Sequence, residues 1–260
     1  MIKKYLIITG AAGFVGEFLS ENLIKENFGL ILVDKNRKKL VKLKNKIKKI
    51  NKISSLYIFD KDITKENNLK KILNFVKKKK IFIYSLINNA AIDAKPKKNK
   101  ISNKYLTKKE WDSEIAVGLT GSYLMIKYFG EHMYHQKNGK IINIGSDLSV
   151  ISPNQEIYKK SYKNFYKPAS YSVIKHGLLG LTKYFSTFFA ASGITCNMIS
   201  PGPILNDQSK TLVKNIKKIT PMKRLANRSD LLGMIKFLLS GNSRFITGQN
   251  IVIDGGRTII

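Results

Sequence analysis

The chain has 260 residues, 43% hydrophobic and 10% aromatic, and its 47 Lys and Arg against 17 Asp and Glu give a formal charge of +30. That composition supplies one sizeable core, so residues 1–260 read as a single domain and a disordered chain is excluded. No apolar run approaches the roughly 18 residues of a membrane span, and the opening residues 1–10 are too poor in apolar side chains for a secretory leader. One cysteine, Cys196, excludes an internal disulfide framework and a multi-cysteine metal site. The expectation is a cytoplasmic protein with no metal and no membrane partner.

The charge invites a nucleic-acid reading, but only five of the basic residues are arginine: Arg37, Arg224, Arg228, Arg244 and Arg257. Base readout and bidentate phosphate contacts favour arginine. Here lysine is spread along the whole chain among abundant Ile and Asn, which looks compositional, so no specific nucleic-acid partner is expected. The field would still attract a small anion such as a dinucleotide or sugar phosphate.

Strands are predicted at 5–9, 30–33, 56–59, 83–88, 141–145, 195–199 and 250–254. They are short, apolar on consecutive positions and rich in Ile, which suits a parallel sheet covered on both faces. Helices are predicted near 14–26, 38–50, 66–78, 108–136, 168–192 and 228–239. The alternation specifies an α/β doubly wound sheet with right-handed crossovers. Segments 93–106, 147–166 and 201–222 read as irregular, and in open α/β sheets such segments at the carboxyl ends of strands hold ligands.

The first strand runs into Thr9-Gly10-Ala11-Ala12-Gly13-Phe14-Val15-Gly16 and then a helix. Gly10 permits a tight turn, Gly13 lets backbone approach a pyrophosphate, and Gly16 allows close packing of helix on strand. The helix start at Phe14 and Val15 supplies N–H groups and a positive dipole end. Asp34, after the second strand, can accept from the adenosine ribose hydroxyls and would repel a 2′-phosphate. NAD is therefore preferred, while the neighbouring Lys35 and Arg37 leave NADP possible.

Further motifs fall in register: Asp62-Ile63-Thr64, Asn88-Asn89-Ala90-Ala91, Asn143-Ile144-Gly145-Ser146, Tyr171-Ser172-Val173-Ile174-Lys175, Ser200-Pro201-Gly202-Pro203 and Val252-Ile253-Asp254-Gly255-Gly256. The combination resembles the short-chain dehydrogenase/reductase family over essentially the full length. The resemblance implies a Rossmann-type seven-stranded sheet ordered 3-2-1-4-5-6-7 and reversible hydride transfer between nicotinamide and an alcohol or carbonyl. By position, Asp62 with Ile63 would meet the adenine, and Asn89, Ala90, Pro201 and Gly202 would line the cofactor pocket. Tyr171 would donate and accept the proton, Ser146 would bond the substrate oxygen, and Lys175 would bind the nicotinamide ribose and lower the Tyr171 pKa. A homo-oligomer, tetramer or dimer, built partly on the helices at 108–136 and 168–192, is also implied.

Elementary chemistry supports the catalytic roles. A phenol titrates near 10, too high for a base at neutral pH, and a lysine four residues later lies on the same helical face. Its ammonium favours phenolate. Ser146 and Tyr171 together would polarise a carbonyl where negative charge develops.

Three features depart from the family. The glycine spacing is that of the extended branch, although length and carboxyl-terminal motifs fit the compact one. In Val117-Gly118-Leu119-Thr120-Gly121, Gly118 stands where the compact branch carries an Asn that orders a relay water. Tyr171 lies 25 positions after Ser146, a longer interval than usual. The extra segment brings Asn154, Gln155, Tyr158, Lys159, Lys160, Tyr162 and Lys163 over the expected substrate mouth. These side chains suit a polyhydroxylated or anionic ligand, while a solvated loop is the plainer alternative. The stretch 146–155 together with Gly118 also resembles bacterial flagellin-modification oxidoreductases of nonulosonic-sugar biosynthesis. The expected substrate is a polar or anionic sugar-like small molecule. Two other readings stay open: a dinucleotide-binding sensor or scaffold without turnover, and a basic nucleic-acid-binding protein. His132 and His135, three apart beside Glu131, read as a helix face, and His176 as packing beside the pocket.

Overall fold

The first strand, β1 (Lys4–Thr9), is buried on both sides, with Tyr5 and Ile7 facing one layer of helices and Leu6 and Ile8 the other. The computed structural model describes residues 3–51, 55–92, 105–162 and 165–260, so most of segment 93–106, and Lys163, lie outside the described residues. The same two-sided burial recurs in β2 (Gly29–Val33), β4 (Phe82–Asn88), β5 (Gly139–Ile144) and β6 (Ile194–Pro201). With β3 (Leu56–Phe59) and β7 (Asn250–Ile253) at the edges, the seven-stranded sheet has the order β3-β2-β1-β4-β5-β6-β7. Every strand pair is parallel. The fold class and strand order are those expected.

On one face lie α1 (Phe14–Leu23), α2 (Arg37–Ile50) and α8 (Arg228–Leu239), whose Leu19, Leu40, Ile47, Leu231 and Ile235 meet Leu6, Leu30 and Ile142. On the other lie α3 (Glu66–Lys78), α4 (residues 108–136) and α6 (Ala169–Phe189), where Leu69, Ile72, Phe129 and Phe189 cover Ile7, Ile31 and Ile141. The helices turn apolar stripes toward the sheet and leave most of their lysines on the solvent side, the buried Lys175 of α6 excepted. Asn36 caps α2 by accepting from the Lys39 N–H, and a Thr107–Glu110 capping box starts α4. Helix α4 is not uniform: the α-helical pieces Lys108–Ile115, Gly121–Met125 and Glu131–Gln136 are joined by π-turns at Ala116–Thr120 and Ile126–Gly130. The first π-turn contains Gly118, and such turns cluster at functional sites.

Two stretches expected to be irregular each contain a helix. Residues Gln155–Ser161 form α5 and Lys210–Lys218 form α7. They pack on each other through Ile157, Leu212 and Ile216, with Leu225 beneath, in a small cluster separate from the main core. Burial against a partner distant in sequence stabilises helices too short to stand alone. Among the described residues, no helix is long and apolar enough to cross a membrane.

Candidate active site

The carboxyl ends of β1, β2 and β4 meet at the glycine loop. Gly10 has φ +59°, and a Cβ there would lie 2.8 Å from the Ala90 Cα, so only glycine lets the two loops close. The Gly13 N–H returns to the Gly10 carbonyl at 3.0 Å. The first bond of α1 runs from the Glu17 N–H to the Gly13 carbonyl, and among the described residues no side chain caps this helix start. An uncapped first turn beside small residues suits a pyrophosphate. Asp34 ties this corner together: one carboxylate oxygen accepts from the Ala12 N–H at 3.0 Å, the other from the Asn36 N–H at 2.8 Å. Neighbouring Arg37 pairs with Asp60 at 3.1 Å. The Asn89 side chain donates to the Thr9 and Gly10 carbonyls, both at 3.1 Å, and Thr9 Oγ1 accepts the Asn89 and Ala90 N–H groups. Asn89 thus braces the glycine loop. Asp62 accepts from the Thr64 N–H and hydroxyl, whereas the Ile63 side chain is buried in the core. Pro201 ends β6, and the Gly202 N–H bonds the Ile253 carbonyl at 2.9 Å. This donor set and the cradle fit a dinucleotide, which residues 10–16, Asp34, Asp62, Asn89, Ala90, Pro201 and Gly202 would hold.

Beyond β5 the catalytic candidates gather. Lys175, on α6 and only 5% exposed, donates from Nζ to the Ile144 carbonyl at 2.9 Å. That bond draws α6 against the strand end from which Ser146 follows. The Ser146 hydroxyl donates to Asp147 Oδ1 at 2.9 Å and accepts the Leu148 N–H at 3.2 Å. Tyr171 is half-buried in the first turn of α6, its ring centroid 5.5 Å from Lys175 Nζ and 3.8 Å from Lys167 Nζ.

Asp147, Arg257 and Glu114 escaped the sequence reading as site residues, whereas Tyr158 was named there with the extra segment. Asp147 is buried and paired with the equally buried Arg257 from the carboxyl terminus. Burial pushes the Asp147 carboxyl above its ordinary range, against the opposing pull of Arg257 and the Ser146 hydroxyl. Tyr158, on α5, lies within the field of Lys167, Arg257, Asp147 and Tyr171, and burial raises its phenol. Buried Glu114, on α4, accepts from Ser170, the residue before Tyr171. Its carboxylate meets the amino-terminal turn of α6, where the helix dipole favours negative charge. Asp147 is an acid in an otherwise apolar and small-residue segment, which is the signal that could have flagged it, whereas Glu114 stands in the charge-rich stretch 108–114 and carries no such mark. Gly118 packs directly on Ile174: a Cβ there would stand 2.7 Å from Ile174 Cγ2. An Asn side chain at that point would run into Ile174.

His135 contacts Glu131 at 3.4 Å on an exposed face, and no group of three metal-ligating side chains occurs among the described residues. His176 is exposed on α6, not packed beside the pocket as expected, because its register points away from the sheet. Cys196 is buried, and burial pushes its thiol up.

A parallel α/β sheet with a glycine-loop helix after β1, and with Lys175 of α6 bonded to the end of β5, has the architecture of a Rossmann-type dinucleotide-binding fold. The family model described as "Enoyl-(Acyl carrier protein) reductase" matches residues 10–258. The chain is 34% identical to the 3-oxoacyl-[acyl-carrier-protein] reductase FabG of Buchnera aphidicola subsp. Baizongia pistaciae, covering 98% of this chain and 97% of that protein. It is 28% identical to the NAD-dependent glycerol dehydrogenase of Listeria innocua serovar 6a (98% and 94% covered). Identity to the post-translational flagellin modification protein A of Campylobacter coli is 27%, with 97% of each covered. A solved short-chain dehydrogenase of Leptospira borgpetersenii with bound NAD+ superposes with a TM-score of 0.85 at 29% identity, covering 99% of this chain and 94% of that one. The chain belongs to the short-chain dehydrogenase/reductase family.

Proposed function

We propose that the chain is an NAD-preferring oxidoreductase interconverting an alcohol and a carbonyl on a small polar molecule: a sugar, sugar phosphate or nucleotide sugar. The observation that carries this reading is the buried Lys175–Ile144 bond, which sets Lys175 and Tyr171 on α6 against the strand end that continues into Ser146. When bound, the dinucleotide supplies the hydride donor or acceptor. Tyr171 takes the proton from an alcohol oxygen as phenolate, or returns it as phenol. Lys175 favours the phenolate by placing positive charge near the ring. Ser146, with its hydrogen turned to Asp147, can accept from a substrate hydroxyl. Rotating that hydrogen toward the substrate lets Ser146 donate to a carbonyl oxygen as negative charge develops. Asp34 supports NAD because its carboxylate would repel a 2′-phosphate.

The polar substrate class is supported by Tyr158, Lys167 and the Asp147–Arg257 pair beside the reacting groups, and by the relatives named for glycerol oxidation and flagellin modification. A second reading, reduction of a 3-oxoacyl group, is favoured by the 34% identical relative. The exposed Tyr184 and Phe188 on α6 support self-association, which sedimentation velocity over a dilution series tests.

The deciding experiment titrates the purified protein with NADH and NADPH by fluorescence, then assays polyols, sugar phosphates and a 3-oxoacyl thioester for turnover. NADH is expected to bind tighter, and Tyr171→Phe to lose roughly 10²–10⁴-fold in turnover with binding retained. Absence of dinucleotide binding refutes the reading. Dinucleotide binding without turnover of any of these compounds leaves a binding scaffold, and turnover confined to the thioester selects the second reading.

A further inference from the structure

The face of the Tyr171 ring carries a cation that the role of Lys175 does not account for. Lys167 Nζ lies 3.8 Å from the ring centroid, nearer than the 5.5 Å of Lys175 Nζ. Its backbone is clamped from α5: the Gln155 side-chain amide donates to the Lys167 carbonyl at 3.0 Å, and the Lys167 N–H donates to the Gln155 carbonyl oxygen at 2.9 Å. Pro168 follows with its ring-restricted φ of −61°, and the Tyr171 N–H bonds the Pro168 carbonyl at 3.2 Å. The segment that lengthens the Ser146-to-Tyr171 interval therefore holds Lys167 through a two-bond mount one helical turn before Tyr171.

We propose that Lys167 is an electrostatic positioning residue, a second ammonium that holds Tyr171 toward its ionised form. The proposal rests on Tyr171 being the acid–base residue. Ionising a phenol spreads negative charge over the oxygen and the ring carbons, so a cation above the ring gains more from phenolate than from phenol. Lys167 and Lys175 act in the same direction. Among the described residues, the other charged or titratable groups near the ring include Tyr158 on α5, the Asp147–Arg257 pair that shares its environment, and Glu114 on α4, held by the adjacent Ser170. Of these only Arg257 adds to the lysines. Asp147 and Glu114, where ionised, oppose them, so losing Lys167 moves the phenol pKa upward.

The test uses the cofactor-free full-length protein labelled with ¹³Cζ-tyrosine and titrated by NMR. The resonance missing from Tyr171→Phe identifies the residue. Lys167→Met is expected to raise its titration midpoint by about one pH unit, and Lys167→Arg to leave it near the wild-type value. Gln155→Leu, which keeps the charge but loosens its mount, is expected to give a smaller rise. The alkaline-going limb of kcat/KM should move with the midpoint. An unchanged midpoint in Lys167→Met overturns the proposal. If KM alone rises at the same time, Lys167 contacts substrate instead. Retained turnover in Tyr171→Phe overturns the acid–base reading, and the apo titration still decides whether Lys167 controls the phenol.

Discussion

Gly118 offers the sharpest test of how α4 and α6 are fitted together beside Lys175. A Cβ added there would stand 2.7 Å from Ile174 Cγ2 and 3.1 Å from Cδ1. Carbon atoms rest at about 3.5–4.0 Å, so the overlap with the nearest methyl is about 1 Å. That methyl sits on the β-carbon of a helical Ile, which has one strongly preferred rotamer and cannot swing aside cheaply. Overpacking of this size costs about 1–3 kcal/mol, and replacing helical glycine by alanine returns up to about 1 kcal/mol. Gly118→Ala is therefore expected to lose about 1–2 kcal/mol net, a drop in Tm of about 2–8 °C for a chain of this size. Urea denaturation of the two single variants and the double variant with Ile174→Leu is the assay. Leucine lacks the offending β-methyl, so the double variant should recover about 1 kcal/mol relative to additivity. A Gly118→Ala protein as stable as wild type, or a strictly additive double variant, would refute the packing argument.

Two more outcomes follow from the site. Asp34→Ala is expected to shift the ratio of NADH to NADPH affinity toward NADPH, measured by fluorescence titration; an unchanged ratio removes Asp34 from cofactor choice. Arg257→Met is expected to cost about 3–5 kcal/mol because it leaves Asp147 buried without its cation. The Asp147 carboxyl already lies above its ordinary 3.8 through burial, and without Arg257 it rises further. A raised acid in the folded state means its contribution is complete below the unfolded value and lost as pH rises through the folded one. The deficit of Arg257→Met should thus widen from about pH 5 to pH 8 in denaturation series, and a flat or narrowing deficit contradicts it.

The strands were legible because parallel strands buried on both faces must be apolar at consecutive positions: Leu6, Ile7 and Ile8 could hardly be anything else. Helix α7 was also within reach, since Ser209 caps it and Leu212 and Ile216 share one face, but the prolines at its borders suggested a loop. Helix α5 was not, because it buries only Ile157 and owes that burial to α7. The glycine loop, Asp34, Ser146, Tyr171 and Lys175 stood in the sequence as motifs of fixed local spacing. Asn89 was read as lining the cofactor pocket; the structure adds that its amide bonds the Thr9 and Gly10 carbonyls, a contact that exists only once β1 and β4 lie side by side.

The amino-acid sequence by itself determined the layers, the order of elements and the types of group at the strand ends, since periodicity, glycine placement and short motifs act over a few residues. Tertiary structure alone decided which distant groups meet. It pairs Asp147 with Arg257, seats Glu114 on Ser170, closes Gly118 onto Ile174 and lays Lys167 over Tyr171 through Gln155. Charge, desolvation and packing act through distance in space, and along the chain nothing marks residues 147 and 257 as neighbours until the sheet and its loops have brought them together.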